Sequence, residues 1–154
     1  MTMIKELISN RNENYTFFIQ CSCGQEILQF YYYKYTNVDD EIIALRYFGH
    51  IADHKDSKCA NFTFTRKDFN ELIFALNKCL SEDHFGKLIQ DKEEILAIRK
   101  DKLGFYTLLK FRDKKQKEKE NFIWDICLSQ KQVLKLIEKL NEMRDYIYGD
   151  VAER

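Results

Sequence analysis

The sequence lacks several features that would assign the chain to a common enzyme class. It contains no proline and only five glycines. Its formal net charge is zero, because 25 lysines and arginines balance 25 aspartates and glutamates. A neutral chain has no general attraction to polyanions, so any nucleic-acid surface must be a local patch. The few glycines form neither a phosphate-binding loop nor a Gly-x-Ser-x-Gly nucleophile elbow. We therefore expect no enzyme activity and no cofactor.

Long apolar runs are also missing. No stretch approaches the roughly 20 apolar residues that a membrane-spanning helix requires, and the opening residues lack the apolar core of a secretion signal. We expect a cytoplasmic protein that makes no membrane contact. Its five cysteines are an odd number and should be reduced thiols in that compartment.

Aromatic residues, by contrast, are plentiful. The chain has 154 residues, of which 45% are hydrophobic, and it includes twelve phenylalanines and nine tyrosines. This length and composition allow a real core to be buried. Because the aromatic and β-branched residues cluster in short runs, strands should dominate.

An internal repeat connects the two halves of the chain. Residues 65–77 align with residues 129–141 at an offset of 64 (129 − 65), and Lys, Leu, Ile, Leu and Asn recur at matching positions. The same offset places Leu45-Arg46-Tyr47 on Leu109-Lys110-Phe111. The alignment indicates a duplicated unit.

Further upstream the offset changes slightly. Glu26-Ile27-Leu28 meets Glu94-Ile95-Leu96 at an offset of 68 (94 − 26). Duplicated units diverge in this way, because loops change length while strands and helices keep theirs.

Each unit is predicted to contain four strands followed by one helix. Thr65 and Ser129 are placed as N-caps, and the apolar residues after each cap follow the helical period. The predicted fold class is α+β, with two tandem β-β-β-β-α units in an intramolecular pseudo-dimer of antiparallel sheets and two packed amphipathic helices. The predicted boundaries are 15–81 and 82–146 for the units, 1–14 for a leading segment and 147–154 for a loosely held tail.

The junction between the last strand and the helix carries a family resemblance. In both units the strand runs into Ser or Thr and then into a helix with Leu-Ile-x-x-Leu-Asn spacing, from Leu128 to Asn141 and from Phe64 to Asn77. This arrangement resembles the group that includes Whirly proteins, the positive cofactor four coactivators and Pur-alpha repeats. Members bind single-stranded DNA or RNA on exposed sheet faces. The resemblance implies the same fold and a single-stranded DNA or RNA ligand.

Aromatic and basic residues on the predicted strands could form such a surface. Tyr31, Tyr33 and Tyr35 alternate onto one face of a strand, while Phe30 and Tyr32 occupy the other, and one of the two faces must be the core. Bases stack on aromatic rings and cations follow the phosphates. The candidate binding residues are Tyr31, Tyr33, Tyr35, Arg46, Arg99, Lys110, Arg112, Lys114 and Lys115. A tyrosine stripe can equally be sheet packing, and a lysine run can be a solvated loop.

A second candidate site contains possible zinc ligands. They occur only in the first unit and are Cys21, Cys23, His50, His54 and Cys59. Zinc binds sulfur and nitrogen ligands in a tetrahedron, but structural sites usually use Cys-x-x-Cys rather than the Cys-x-Cys found here. The alternative is a pair of cysteines at a strand end beside a polar loop.

The alternative function is that of a protein-interaction module. Exposed sheet aromatics could bind another polypeptide, or sheet edges could pair to form a homo-oligomer. Both functions require aromatic residues on an open sheet, so the sequence alone does not separate them.

Overall fold

Each half of the chain forms a four-stranded antiparallel meander that ends in one helix. The computed structural model describes residues 11–35, 40–49, 60–113 and 121–152. The first unit contains β1 (Arg11–Gln20), β2 (Ile27–Tyr35), β3 (Glu41–Phe48), β4 (Phe62–Phe64) and α1 (Arg66–Ser81). The second contains β5 (Phe85–Asp91), β6 (Glu94–Lys100), β7 (Tyr106–Arg112), β8 (Asn121–Leu128) and α2 (Gln130–Ala152). The sheet orders are β1-β2-β3-β4 and β5-β6-β7-β8, which confirms the predicted α+β class and tandem units.

Both predicted N-caps are confirmed. The Thr65 hydroxyl accepts a hydrogen bond of 3.0 Å from the Asp68 amide, and the Ser129 hydroxyl accepts one of 3.2 Å from the Gln132 amide. In the second unit Gln132 Oε1 also accepts from the Ser129 amide at 2.8 Å, which completes a capping box. Each cap satisfies amides that the helix itself cannot bond, so both helices begin at a defined residue.

The two helices pack reciprocally on the two sheets. Helix α1 lies against β5 and β6 of the second sheet, α2 lies against β1 of the first sheet, and the helices contact each other. Their apolar stripes are buried at matching positions: Phe69, Leu72, Ile73, Leu76 and Cys79 in α1, and Val133, Leu136, Ile137, Leu140 and Met143 in α2. This exchange produces one shared core and confirms the predicted pseudo-dimer. Neither helix in the described part of the chain is long and apolar enough to cross a membrane.

The repeat alignment is correct at an offset of 68 but slips by one residue in the third strands. Leu28 and Leu96 are both completely buried, as the alignment requires. The third strands, however, do not follow the alignment. Leu45 lies between β2 and β4 at the register position that Leu108 occupies between β6 and β8, so the counterpart of Leu45 is Leu108 and not Leu109. The offset there is 63 (108 − 45). A one-residue slip in a strand reverses the face of every side chain, and this affects the site residues below.

A tryptophan lies where the two units meet. The Trp124 ring stacks on Tyr47 with a centroid distance of 4.7 Å and an interplanar angle of 4°. Its Nε1 donates a hydrogen bond of 2.7 Å to the carbonyl oxygen of Ala60. Ala60 is the counterpart of Trp124 in the first unit, at the offset of 64 (124 − 60). The residue therefore bonds its own repeat equivalent, as expected near a pseudo-twofold axis.

Both predicted terminal segments need correction. Strand β1 begins at Arg11, inside the predicted leading segment 1–14. The predicted tail 147–154 is helical as far as Ala152, because Ile147 extends the apolar stripe and is buried. Tyr148 also packs under Arg66, whose Cζ lies 4.7 Å from its ring centroid. Arg66 in turn makes a two-bond ion pair with Glu41, which connects the end of α2 to the first unit.

Candidate nucleic-acid interface

The first sheet has an outer face that points away from the helices. On β2 the inner side chains are Leu28, Phe30 and Tyr32, which belong to the core. Successive side chains of a strand alternate between faces, so the tyrosine stripe is on the outer side. We define the first outer face by Thr16, Phe18, Gln20, Ile27, Gln29, Tyr31, Tyr33, Ile42, Ala44, Arg46, Phe48 and Thr63.

The centre of the first outer face is an aromatic and cationic cluster. The rings of Tyr31 and Tyr33 are 5.0 Å apart with an interplanar angle of 45°. Arg46 on the neighbouring strand places its Cζ 5.1 Å from the Tyr31 ring centroid, a cation–π arrangement. Tyr31 is only 9% exposed, and Tyr33 and Arg46 are half-buried. The sequence prediction that Tyr31, Tyr33 and Arg46 share one surface agrees with this geometry. The Tyr35 side chain lies outside the described residues.

Exposed aromatic rings flank this centre. Phe18 is 59% exposed and Phe48 is 45% exposed on the same face. Among the side chains of this face that the structure describes, Arg46 carries the only charge, and no carboxylate is present. Among these described side chains, a phosphate group approaching the face would therefore meet one cation and no carboxylate.

The second sheet presents a different outer face. We define the second outer face by Leu88, Gln90, Ile95, Ala97, Arg99, Thr107, Leu109, Phe111, Phe122, Asp125 and Cys127. Ile95, Ala97 and Phe111 form a small apolar cluster with Leu109, separate from the main core. Leu88 and Phe122 are exposed on the same side.

The two outer faces differ at equivalent positions. Arg99 corresponds to Tyr31 at the offset of 68 (99 − 31), and Leu109 corresponds to Arg46 at the offset of 63 (109 − 46). The tyrosine–arginine pair of the first face is therefore absent from the second. Arg99 lies on the second outer face, on the same surface as the acidic Asp125. The duplicated fold thus carries one aromatic outer face and one largely aliphatic outer face.

Lys110 is not a surface cation, and its prediction as a phosphate contact is wrong. Its side chain is completely buried on the inner face of β7, between Leu96 and Trp124 on the adjacent strands. Its Nζ donates a hydrogen bond to the carboxylate of Glu94. Tyr47 and Glu26 form the equivalent bond in the first unit. The sequence alignment at an offset of 64 had matched Lys110 with Arg46. At the offset of 63 that the structure shows, the repeat equivalent of Lys110 is the core residue Tyr47.

Arg112 also turns towards the inner side of its sheet. Its Nε bonds Glu94 Oε2 at 2.7 Å and lies 3.9 Å from Glu93 Oε2. These carboxylates neutralise the guanidinium, so the predicted phosphate contact is replaced by an ion-pair network. Lys114 and Lys115 lie outside the described residues.

Comparison with known proteins identifies a similar fold. The chain is similar to a crystal structure of Trypanosoma brucei MRP1/MRP2, with a TM-score of 0.53 over 98% of this chain and 97% of that chain. The sequence identity is 10%, so the likeness shows the fold alone. No family model matches the sequence, and no curated protein matches it.

The predicted zinc ligands are only partly brought together by the described structure. Cys21 and Cys23 lie side by side in the turn between β1 and β2, with their sulfur atoms 2.7 Å apart. Glu26 joins them, and one ligand atom from each residue lies within 4.8 Å of the others. The sequence interpretation missed Glu26, although Cys-x-Cys-x-x-Glu around Gly24 could have indicated it.

The predicted ligands His50, His54 and Cys59 lie outside the described residues.

The two thiols in this turn ionise differently. Burial opposes ionisation of Cys21, but hydrogen bonds from Cys23 and from the backbone of Glu26 outweigh it and lower the pKa of the Cys21 thiol. The hydrogen bond to Cys21 raises the pKa of the Cys23 thiol. Cys21 is therefore the first of the pair to become a thiolate, the form that binds metals.

Proposed function

We propose that the protein binds single-stranded DNA or RNA on the first outer face. Tyr33, Phe18 and Phe48 would stack on bases, and Tyr31 would support the centre of the surface beneath Arg46. Arg46 would contact a phosphate. The observation that carries the proposal is the aromatic cluster with its cation on an outward face, where none of the described side chains is acidic. Single strands are bound by this combination of stacking rings and cations.

Two further observations support the proposal. The repeat junction resembles that of the Whirly, positive cofactor four and Pur-alpha group, whose members bind single strands. The structural likeness to MRP1/MRP2 extends over nearly the whole of both chains, so it includes both sheets and both helices. The proposal includes two expectations from the sequence: the chain is not an enzyme, and it acts in the cytoplasm. Because the fold alone does not determine function, the proposal rests on the side chains of the first outer face.

Replacing Arg46 tests the proposed phosphate contact. Arg46→Gln should weaken binding of fluorescent oligo(dT) or oligo(U), and it should lower the slope of log affinity against log salt by about 0.7, the value for one phosphate on a single strand. Fluorescence anisotropy across a salt series measures both quantities. The loss should be the same for oligonucleotides of different sequence, because a phosphate contact does not read bases.

A matched control is Lys135→Gln, which removes an exposed cation on α2 and should leave both affinity and slope unchanged. Equal effects of the two substitutions would contradict the assignment of Arg46. If folded wild-type protein binds neither oligonucleotide at low salt, the proposed function itself is wrong.

A second candidate function is that of a protein-interaction module that uses the second outer face. The observation in its favour is the apolar cluster of Ile95, Ala97 and Phe111 with the exposed Leu88 and Phe122 on the same side. Exposed apolar patches commonly mark protein–protein contacts, including those of homo-oligomers. This function predicts no salt-dependent binding of oligonucleotides, so the same anisotropy series separates the two candidates.

A further inference from the structure

The turn between β1 and β2 holds two thiols and a carboxylate at one end of the first sheet. Cys21 is a buried residue, whereas Cys23 is exposed to solvent. Together with the Glu26 carboxylate they form the group of three potential metal ligands described above. Tetrahedral zinc with bonds of about 2.3 Å to sulfur places two thiolates about 3.8 Å apart. The sulfurs are 2.7 Å apart in the structure, so zinc binding would require the exposed Cys23 side chain to rotate until they reach that separation.

The backbone of this turn is fixed by several hydrogen bonds. The Cys21 amide donates to the Glu26 carbonyl at 2.8 Å, and the Gly24 amide donates to the Cys21 carbonyl at 3.0 Å. Gly24 has a φ of 81°, a conformation that favours glycine. The Glu26 amide points at Cys21 Sγ from 3.3 Å. The backbone that carries the three ligands is therefore fixed before an ion arrives.

Contacts with the second unit anchor the same turn. The amide and the hydroxyl of Ser22 both donate to the Cys127 carbonyl, at 3.0 and 3.1 Å. Gln132 Nε2 at the start of α2 donates to the Gln20 carbonyl at 2.7 Å. An ion bound at this turn would therefore stabilise the association of the two units as well as the turn itself.

A residue of the core orients the carboxylate. The Tyr47 hydroxyl donates to Glu26 Oε2, and the Tyr47 ring is buried against Trp124. Metal-binding carboxylates are commonly held by such a hydrogen bond, which leaves the other oxygen for the ion. Tyr47 is thus a positioning residue for this group.

We propose that Cys21, Cys23 and Glu26 bind a zinc ion, with a fourth position open to water or another ligand. Two thiolates and one carboxylate suit zinc better than hard cations such as magnesium or calcium, which prefer oxygen ligands alone. The proposal is independent of nucleic-acid binding, because the site uses residues of the turn and none of the first outer face.

Cobalt titration of the reduced full-length protein tests this proposal. One equivalent of cobalt should produce a thiolate-to-metal absorption band, and one equivalent of zinc should remove it by displacing the cobalt. Zinc should also raise the melting temperature of the wild-type protein. Cys23→Ser should abolish the band and the zinc-dependent increase, whereas the matched variant Cys127→Ser, which replaces another exposed thiol, should retain both.

Tyr47→Phe provides a separate readout, because loss of the orienting hydrogen bond should weaken zinc affinity by about 10- to 100-fold without removing a ligand. Circular dichroism establishes that each variant is folded. The proposal is overturned if the wild-type protein gives no cobalt band, if Cys23→Ser retains it, or if Cys127→Ser loses it.

Discussion

Replacing Glu94 by leucine is expected to destabilise the protein by about 3–5 kcal/mol. The Lys110 side chain is completely buried, and its ammonium group donates to the Glu94 carboxylate. Glu94→Leu removes the carboxylate to which this buried ammonium group donates, and taking the counter-ion away from a buried charge is strongly unfavourable. Urea unfolding followed by Trp124 fluorescence measures the change in the free energy of unfolding.

The opposite replacement should be much milder. Lys110→Met puts a flexible apolar side chain of similar volume beside Leu96 and Trp124, and Glu94 keeps its 2.7 Å bond to Arg112. We expect a loss of about 1 kcal/mol or less, because Glu94 is partly exposed and stays paired with Arg112, so no uncompensated charge is left in the core. The folded variant should also retain the wild-type salt dependence of oligonucleotide binding.

Glu93→Leu is the matched control for this pair of substitutions. Glu93 is the neighbouring carboxylate, its side chain is 57% exposed, and it lies 3.9 Å from Arg112. Exposed ion pairs contribute little, so its replacement should change stability by less than about 1 kcal/mol. A Glu94→Leu protein as stable as Glu93→Leu, or a Lys110→Met protein less stable than Glu94→Leu, would contradict the assigned roles.

Trp124→Ala should also destabilise the protein by about 3–5 kcal/mol, the usual range for removing a large aromatic ring from a core. The ring stacks on Tyr47, and its Nε1 satisfies the Ala60 carbonyl across the boundary between the units. Trp124→Phe should have a smaller effect, about 1–3 kcal/mol, because it keeps most of the ring but leaves that carbonyl without its donor. Circular dichroism is the suitable probe, since this is the single tryptophan of the chain.

Phe122→Ala is the control on the same strand. Phe122 is 47% exposed on the second outer face, so its replacement should cost about 1 kcal/mol or less. If Trp124→Ala and Phe122→Ala are equally stable, the contact between the units does not depend on Trp124 as we describe.

The sequence contains strong local signals for the fold. The cap residues Thr65 and Ser129 and the helical period behind them are local patterns, so both helix starts were predictable. The matching triplets at Glu26 and Glu94 likewise located β2 and β6. These features depend on neighbouring residues alone, and the structure confirms them.

The direction in which strand residues point depended on information that the sequence lacks. Lys110 has the residue type of a phosphate contact, yet its pairing register with Leu96 and Trp124 turns it into the core. The repeat alignment was one residue out of register in this strand. Because successive side chains of a strand alternate between its two faces, that error assigned Lys110 to the outer face. The position of the Tyr31 stripe was ambiguous for the same reason. Only the packing of the helices shows which face is inner.

Chemical-shift mapping tests the central claim, that the first outer face binds single strands. Isotope-labelled protein would be titrated at low salt with a short oligo(dT) or oligo(U), and the backbone amide signals followed by two-dimensional NMR. We expect the largest shifts around Tyr31, Tyr33 and Arg46 and on the adjoining β1 residues, with little change along the exposed sides of α1 and α2. No shifts with folded protein, or shifts confined to the helices, would contradict the proposed function.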